Sequence, residues 1–312
     1  MTGLADKRLL FVTGKGGVGK TTVALALGIA AARRGLRTIV AELGGQERAA
    51  TAFGAAGGAG GPGTEVALGE GLHAISIDMQ HALEEYLHER AGRVGDLLAA
   101  SRAFHAFAVA TPGMRELLSI GKAWELAQDR RRVPGARPYD LVIVDAPASG
   151  HGLGALRTPS TFAEIARMGP IAGQGRRIDA TLRDPAFTAV VAVALAEEMP
   201  VNETLALARE LQEQMGIEPA ALIVNALLPE RLGPRQLGAA EAALEREPST
   251  PLVRGALRAA VAEQRRARVQ REQVARLADG LGREPFPLPY LFAPALDRAA
   301  LEELATALEP AL

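Results

Sequence analysis

Residues 14–22 read GKGGVGKTT, and this segment constrains the fold more than any other part of the chain. An apolar run from Leu9 to Thr13 precedes it, and a helix-forming run from Val23 to Ala32 follows it. The order of strand, glycine-rich turn and helix is the context in which the pattern GxxxxGK followed by Ser or Thr forms a phosphate-binding loop. The glycines let successive backbone N–H groups point toward one anion, and the helix N-terminus adds its dipole. The segment therefore predicts a site for a di- or triphosphate.

Each position of this loop has an expected role. Lys20 is expected to reach the β- and γ-phosphates, and the Thr21 hydroxyl is expected to bind Mg²⁺. The early lysine, Lys15, marks the deviant loop of one branch of NTPases, in which it reaches across a dimer interface to the partner's nucleotide. Lys15 is therefore a candidate catalytic residue, and a solvated loop lysine is the alternative. The rest of the loop is expected to surround the phosphates, namely Gly14, Gly16, Gly17, Val18, Gly19 and Thr22.

The composition excludes several classes of site. The chain has 312 residues and a formal net charge of -1, so no general nucleic-acid-binding surface is expected. It contains no cysteine, which excludes disulfides, thiolate zinc sites and thiol-based metalloid sites. The longest apolar runs are too short to span a bilayer, and no apolar signal segment precedes the first strand. A cytoplasmic location without an integral membrane segment is therefore expected.

Apolar, strand-like runs alternate with helical segments along the chain. This alternation predicts one α/β domain over residues 1–312, built on a doubly wound, mostly parallel sheet. Continuous apolar runs such as Leu141–Val144 are typical of strands that helices cover on both faces. The predicted strands are Leu9–Thr13, Thr38–Glu42, Leu72–Ile77, Leu141–Asp145, Ala189–Ala194, Ala221–Asn225 and Phe286–Tyr290.

Two segments carry helical rather than strand patterns. Residues 79–135 and 155–185 are predicted to be helical insertions that form a subdomain beside the nucleotide core. Pro159 is expected to interrupt the second insertion. Residues 54–63 are almost entirely glycine and alanine, which predicts a flexible loop, either a mobile connector or a lid.

Polar residues at two strand ends are candidates for the rest of the site. Asp145 ends an apolar strand, where a Walker-B carboxylate belongs, and is expected to hold Mg²⁺ beside Thr21. Residues 146–151 are predicted to form a switch loop in which Gly150 would offer its N–H to the γ-phosphate. Asn225 closes a later strand on the same side of the sheet, and its side-chain amide can both donate to and accept from an adenine edge.

Together these motifs resemble the ArsA family of P-loop ATPases, which includes arsenite-pump ATPases and the ATPases for guided entry of tail-anchored proteins (GET). Gly14–Thr22 matches the family's GKGGVGKTT without a change, and Asp145–His151 (DAPASGH) resembles its switch II, DTAPTGH. Residues 198–204 resemble a family segment that ends in a Glu-Thr pair, and Ile223–Asn225 resembles its adenine-contacting VVN. The resemblance covers nearly the whole chain. It implies ATP or ADP with Mg²⁺ as ligands and a dimer gated by the nucleotide.

The chain departs from the family's pattern in switch I and in its cysteines. The family's DPAHSLSD begins with an aspartate that orients the attacking water, whereas a gapless alignment places Gly44 there. Glu42 or Glu47 is a candidate substitute, but neither lies at the position of the aspartate. Hydrolysis is therefore expected to be slow or partner-dependent. The family's zinc-binding CxxC and its arsenite-binding cysteines are both missing. Pro289 and Leu291 lie where the family closes the adenine pocket, and they are expected to contact the base.

The leading hypothesis is a nucleotide-gated ATPase that forms a homodimer or pairs with a paralogue. Its helical subdomain would bind a hydrophobic or tail-anchored client or a membrane-associated partner. The replaced switch I aspartate supports a second hypothesis, a non-catalytic or weakly catalytic ATP-binding subunit. A positioning ATPase of the ParA/MinD type is disfavoured because Leu301–Leu312 is acidic rather than basic. An arsenite or oxyanion pump ATPase is disfavoured by the absence of cysteine.

Overall fold

A computed structural model of the protein describes residues 3–43, 48–54, 63–99, 101, 110–133, 135–147, 149–166, 170–246, 250–293 and 295–312. Within these residues, strands pair in the order β3-β4-β2-β5-β1-β6-β7-β8. All recorded pairings are parallel except that of β3 with β4. The strands are β1 Leu9–Thr13, β2 Thr38–Glu42, β3 Glu65–Gly69, β4 Leu72–Ser76, β5 Leu141–Asp145, β6 Thr188–Leu195, β7 Ala221–Leu227 and β8 Phe286–Pro289.

Helices connect the strands and also extend beyond the sheet. The longest, α9, is Pro251–Leu281, and α3, Met79–Ala99, is kinked at Gly92. Short 3₁₀ turns lie at Leu4–Asp6 and Glu309–Ala311. The α-helices are α1 Lys20–Arg33, α2 Arg48–Ala52, α3 Met79–Ala99, α4 Met114–Leu126, α5 Ser149–Ala166, α6 Pro170–Arg183, α7 Glu198–Met215, α8 Pro234–Glu245, α9 Pro251–Leu281 and α10 Arg298–Leu308.

Strand β1 shows why the sheet is covered on both faces. All five of its residues are buried, and successive side chains of a strand point to opposite faces. Leu10 and Val12 join a core cluster with α1 and α10, whereas Leu9 and Phe11 join a second cluster with α4, α5, α6 and α7. The continuous apolar run in the sequence therefore reflects a central strand between two helical layers.

The predicted fold class, an α/β protein with a mostly parallel sheet, is confirmed, but the sequence did not reveal β3. This edge strand, Glu65–Gly69, is only partly buried and runs antiparallel to β4. Its sequence, EVALG, is short and ends in glycine, so no strong apolar pattern marks it. The predicted strand boundaries agree with the structure to within one or two residues at each end.

The prediction of a switch loop over residues 146–151 is wrong in its second half. Helix α5 begins at Ser149, so Gly150 and His151 lie in its first turn. Pro159, expected to interrupt the second insertion, lies inside α5 instead. A proline within a helix removes one backbone hydrogen bond, and the neighbouring Thr158 hydroxyl donates to the carbonyl of Gly154 at 2.8 Å.

Buried charges join the helical layer to the sheet edge. Lys122 Nζ lies 2.6 Å from Glu85 Oε2 and 3.1 Å from Glu125 Oε2. Arg131 Nε donates to Glu125 Oε1 at 3.0 Å, and its guanidinium also pairs with Glu65 on β3. Because unpaired buried charges are costly, this chain of ion pairs fixes α4 against the edge strand that the sequence pattern did not reveal.

The parallel arrangement brings the carboxyl ends of several strands to one edge. Val12 and Glu42 are both register partners of Asp145, so β1 and β2 lie on either side of β5. Ligands of open α/β sheets bind at this edge, where the chain leaves each strand. Among the helices that the structure describes, none combines the length and apolar character needed to cross a bilayer.

Candidate nucleotide-binding site

A cavity of about 580 Å³ opens at the carboxyl edge of the sheet. Its charged lining residues are two cations and two carboxylates, Lys20, Arg48, Glu42 and Asp145. The other lining residues come from the phosphate loop, α1, α2, the segment after β5, and α10 with the turn before it. They are Gly16, Gly17, Gly19, Thr21, Thr22, Leu25, Ala52, Ala146, Pro147, Leu296 and Leu301.

The phosphate loop requires glycine at two positions for space as well as for backbone conformation. Gly14 and Gly19 have φ values of 150° and 92°, which side chains disfavour. A Cβ at Gly14 would lie 2.2 Å from the carbonyl oxygen of Val193, and one at Gly19 would lie 2.3 Å from Asn225 Nδ2. Gly19 immediately precedes α1, so the unpaired N–H groups at the N-terminus of this helix lie at the cavity. This is the anion-binding geometry that the sequence predicts.

Lys20 lines the cavity, as predicted for the phosphate-contacting lysine. Its Nζ donates to the carbonyl oxygen of Lys15 at 2.9 Å. Burial lowers the pKa of Lys20, while the nearby Asp145 carboxylate opposes that shift and Arg48 adds to it. A half-buried ammonium group with one backbone partner retains hydrogen-bonding capacity for an anion in the cavity.

Thr21 and Asp145 meet, as predicted for a magnesium site. The Thr21 hydroxyl donates to Asp145 Oδ2 at 2.6 Å. The other carboxyl oxygen, Oδ1, is buried and has no hydrogen-bond partner among the described residues. Burial raises the pKa of Asp145, although Thr21, Lys20 and Arg48 all oppose the shift. A partly buried hydroxyl–carboxylate pair with one unsatisfied oxygen fits a hard divalent cation such as Mg²⁺.

Glu42, one of the two candidates for switch I, lies at the cavity but is already hydrogen-bonded. The residue is only 4% exposed, and its Oε1 accepts hydrogen bonds from the backbone N–H groups of Arg48 and Ala49, at 3.1 and 3.2 Å. It therefore holds the N-terminus of α2. Burial, together with the Asp145 charge, raises the pKa of Glu42 to about 7 against these hydrogen bonds. The other candidate, Glu47, and the replaced position, Gly44, lie outside the described residues.

Lys15 lies outside the cavity lining and pairs within its own chain. Its Nζ is 2.8 Å from Glu203 Oε1 in the first turns of α7. Glu203 belongs to the segment that resembles the family's Glu-Thr pair. Both side chains are partly exposed, so the pair is accessible to a competing charge.

Asn225 contacts the phosphate loop directly. Its Nδ2 donates to the carbonyl oxygen of Val18 at 3.0 Å, and its Oδ1 accepts from the N–H of Ala226 at 2.9 Å. Asn225, which is predicted to contact adenine, therefore also holds the phosphate loop against β7. Pro289 ends β8, and Leu291 lies two residues beyond it. Neither residue lines the cavity, and Leu291 packs against the core. Their contact with adenine stays a prediction, as does a phosphate contact of the Gly150 N–H.

Arg48 is the charged cavity residue that the sequence pattern did not reveal. It begins α2, and its charge acts on Lys20, Glu42 and Asp145 together. The only signal was its place six residues after Glu42, in a segment that departs from the family pattern. Leu296 and Leu301 were missed too, because nothing in the sequence brings α10 to the phosphate loop. Residues 55–62 of the predicted glycine-alanine loop lie outside the described residues.

Comparisons with known proteins agree with the motifs. The family model for anion-transporting ATPases (ArsA) matches residues 7–173 and 164–242. ATPase BagA of Mycobacterium tuberculosis is 33% identical over 247 residues, which are 76% of this chain and 70% of that protein. ATPase GET3 of Kluyveromyces lactis is 29% identical over 258 residues, with 71% and 72% coverage. A putative arsenical pump-driving ATPase of Halobacterium salinarum is 30% identical over 240 residues, with 73% and 37% coverage.

Proposed function

Because the chain belongs to the ArsA family of P-loop ATPases, we propose that it binds ATP with Mg²⁺ at residues 14–22 and hydrolyses it as a nucleotide-gated dimer. The observation that carries the proposal is the convergence of Lys20, Thr21 and Asp145 on one cavity. These residues come from two separate segments of the chain, and only the folded sheet brings them together.

The residues around the cavity have distinct roles in this proposal. Loop N–H groups and the amine of Lys20 bind the phosphates, and Arg48 adds a second positive charge. Thr21 and Asp145 hold Mg²⁺, which supplies charge neutralisation on the phosphates when bound. Asn225 keeps the loop in position and contacts the base, and Leu25, Leu296 and Leu301 exclude water from one wall.

In the dimer, Lys15 leaves Glu203 and binds the partner's nucleotide. The partly exposed Lys15–Glu203 pair supports this exchange, since ion pairs near the surface stabilise by about 1 kcal/mol or less. A triphosphate offers a higher negative charge than one carboxylate. Hydrolysis would then weaken the dimer, because loss of the γ-phosphate removes part of what Lys15 binds.

The helical insertions would bind the client, a hydrophobic or tail-anchored segment or a membrane-associated partner. Support comes from Ile165, near the end of α5, whose side chain is 73% exposed. Much of the apolar surface of α3 and α4 that the structure describes packs inward instead, around Leu83 and Leu118. The client surface is therefore expected near the end of α5.

A second candidate function is an ATP-binding subunit with little turnover of its own, paired with a catalytic paralogue. One observation favours it: the Glu42 carboxylate is engaged by two backbone N–H groups of α2. A carboxylate held in this way is less available to orient a water than the family's switch I aspartate.

Steady-state phosphate release by the purified protein distinguishes the two candidates. A catalytic dimer turns over ATP alone, and Asp145→Asn abolishes turnover whereas Asp179→Asn, on α6 and outside the cavity lining, leaves it unchanged. Light scattering with ATP and with ADP tests the gating. If the wild type releases phosphate no faster than Asp145→Asn does, the catalytic dimer is rejected. If the wild type turns over ATP and Asp145→Asn does not, the inactive subunit is rejected.

A further inference from the structure

Helices α8 and α9 pack against each other as a hairpin. No residue of α8 is fully buried. In α9, the buried side chains begin at Val261, and residues 251–260 are exposed except for the partly buried Leu257 and Ala260. Thr250 caps α9 by accepting a hydrogen bond from the N–H of Val253 at 3.2 Å. The exposed end of the hairpin is therefore ordered as helix.

Positive charge is concentrated on this hairpin. Helix α9, Pro251–Leu281, contains seven arginines, two glutamates, one aspartate and no lysine, in a chain whose formal net charge is -1. Residues 250–262 contain no acidic residue at all. An excess of this size on one helix creates a local positive potential, although the protein as a whole is almost neutral.

Three carboxylates near the hairpin are paired with other arginines, whereas the exposed Glu245 adjoins Arg246 in the sequence. Glu241 pairs with Arg265, Glu263 with Arg231, and Glu272 with Arg268. Within the described part of the chain, no carboxylate lies within ion-pairing distance of the arginines at the exposed end of the hairpin. These arginines are Arg246, Arg254 and Arg258.

Two exposed apolar residues precede Arg254 in the first turn of α9. Leu252 is 83% exposed, the highest value among the large apolar residues of the described chain, and Val253 is 43% exposed. We call the set Arg246, Leu252, Val253, Arg254 and Arg258 the basic tip. Leu252 is largely outside the core and is therefore available to an external apolar phase.

We propose that the basic tip binds the surface of an anionic phospholipid bilayer. Arginines beside an anionic leaflet are attracted to lipid phosphates, and their aliphatic stems can lie along apolar surface. Leu252 and Val253 would enter the boundary between headgroups and acyl chains, as apolar side chains of interfacial helices do. A nucleic acid would attract the arginines equally but offers no apolar phase for Leu252. The binding needs no nucleotide and is independent of the proposed ATPase function.

Vesicle cosedimentation of the full chain, without nucleotide, tests the proposal. The probes are vesicles of phosphatidylcholine alone and vesicles containing about 30% phosphatidylglycerol, at low and at physiological salt. We expect binding to the anionic vesicles to exceed binding to the neutral ones by about tenfold, and to weaken as salt rises because screening shortens the electrostatic range. Equal binding to both vesicle types, or binding to neither, would overturn the proposal.

Three variants test the charged and the apolar parts of the tip separately. Arg254→Glu/Arg258→Glu should reduce binding to anionic vesicles by about tenfold or more, because four units of charge change at the surface. The matched control, Arg157→Glu/Arg209→Glu, makes the same charge change on α5 and α7 and should bind as the wild type does. Leu252→Ser should weaken binding several-fold, and Leu252→Trp should strengthen it, since indole favours the interface. Circular dichroism checks that each variant folds.

Competition with a duplex DNA distinguishes the alternative partner. If DNA binds the tip more tightly than anionic vesicles do, and Leu252→Ser leaves vesicle binding unchanged, the surface is a polyanion site and not a lipid site. Retention of full vesicle binding in Arg254→Glu/Arg258→Glu would likewise overturn the proposal. Loss of ATP turnover in any nucleotide-site variant does not bear on it, because the vesicle assay contains no nucleotide.

Discussion

Lys15 Nζ lies 2.8 Å from Glu203 Oε1, so the early lysine of the phosphate loop is ion-paired within its own chain. A lysine that is to reach a partner's nucleotide must first leave this carboxylate. Since both side chains are partly exposed, the cost of separation is about 1 kcal/mol at most. Glu203 therefore adjusts the dimer equilibrium in the proposed function, without controlling it completely.

Replacing Glu203 should strengthen ATP-dependent dimerisation. In Glu203→Gln the carboxylate no longer competes for Lys15, so the dimer dissociation constant with ATP should fall about two- to fivefold. Light scattering over a concentration series measures this, with Glu210→Gln, an exposed change on the same helix, as the control. Lys15→Ala should dimerise less than either. Identical behaviour of Lys15→Ala, Glu203→Gln and wild type, with ATP and with ADP, would contradict the clamp.

Lys20→Ala should lose most of the affinity for nucleotide. A charge-assisted contact to phosphate in a partly buried cavity contributes about 2–3 kcal/mol, so the dissociation constant for ATP should rise by a factor of about 30 to 150. Titration calorimetry measures the change, with Arg34→Ala at the other end of α1 as a control that should bind normally. Wild-type affinity in Lys20→Ala would show that the nucleotide binds elsewhere.

Thr21→Ala should affect the magnesium dependence of ATP binding more than binding itself. The variant removes the hydroxyl that donates to Asp145 at 2.6 Å and that is proposed to bind Mg²⁺. Thr21→Ser keeps a hydroxyl and should behave like the wild type. ATP affinity is measured across a magnesium titration. An unchanged titration in Thr21→Ala would remove Thr21 from the metal site.

The raised pKa of Glu42 predicts that the free energy of unfolding depends on pH. Its pKa is raised from 4.5 to about 7 in the folded protein, so the folded state retains a proton that the unfolded state has already lost. Stability from this group is therefore full below pH 4.5 and falls as the pH rises to about 7. The fall is at most about 3 kcal/mol. In Glu42→Gln it should be absent, while the amide oxygen still accepts from α2.

Urea unfolding of the wild type and Glu42→Gln between about pH 4.5 and 7.5 measures this difference. EDTA in the buffer keeps metal ions from binding Asp145. The raised pKa of Asp145 also lowers stability as the pH rises, but it does so in both proteins. The wild type should lose more stability than Glu42→Gln across this range. Parallel curves for the two proteins would show that folding does not raise the pKa of Glu42.

The sequence predicted the parts of the site that depend on local chemistry. The loop, its helix, Thr21 and Asp145 follow from a short motif and from one polar residue at the end of an apolar strand. The sheet class followed in the same way from alternating apolar runs. All of these signals lie within one element, where residue type determines conformation directly.

Other features arise from contacts between distant segments and could not be predicted. Arg48 reaches the cavity because Glu42 holds the start of α2, and Glu203 meets Lys15 because α7 begins beside the loop. The start of α5 at Ser149 was missed because Pro147 and Gly150 are typical of loops. Strand β3 was missed because its partner, β4, and the buried Arg131 stabilise a short and partly exposed segment.

The phosphate loop is held in place by two side chains from much later in the chain. Asp145 pairs with Thr21 across a separation of 124 residues, and Asn225 pairs with Val18 across 207 residues. During synthesis, residues 14–22 leave the ribosome long before either partner exists. A nascent chain consequently emerges with its phosphate loop unanchored and gains its full capacity for nucleotide only after β7 has been made. Cellular ATP would then favour the completed sheet over every earlier folding stage.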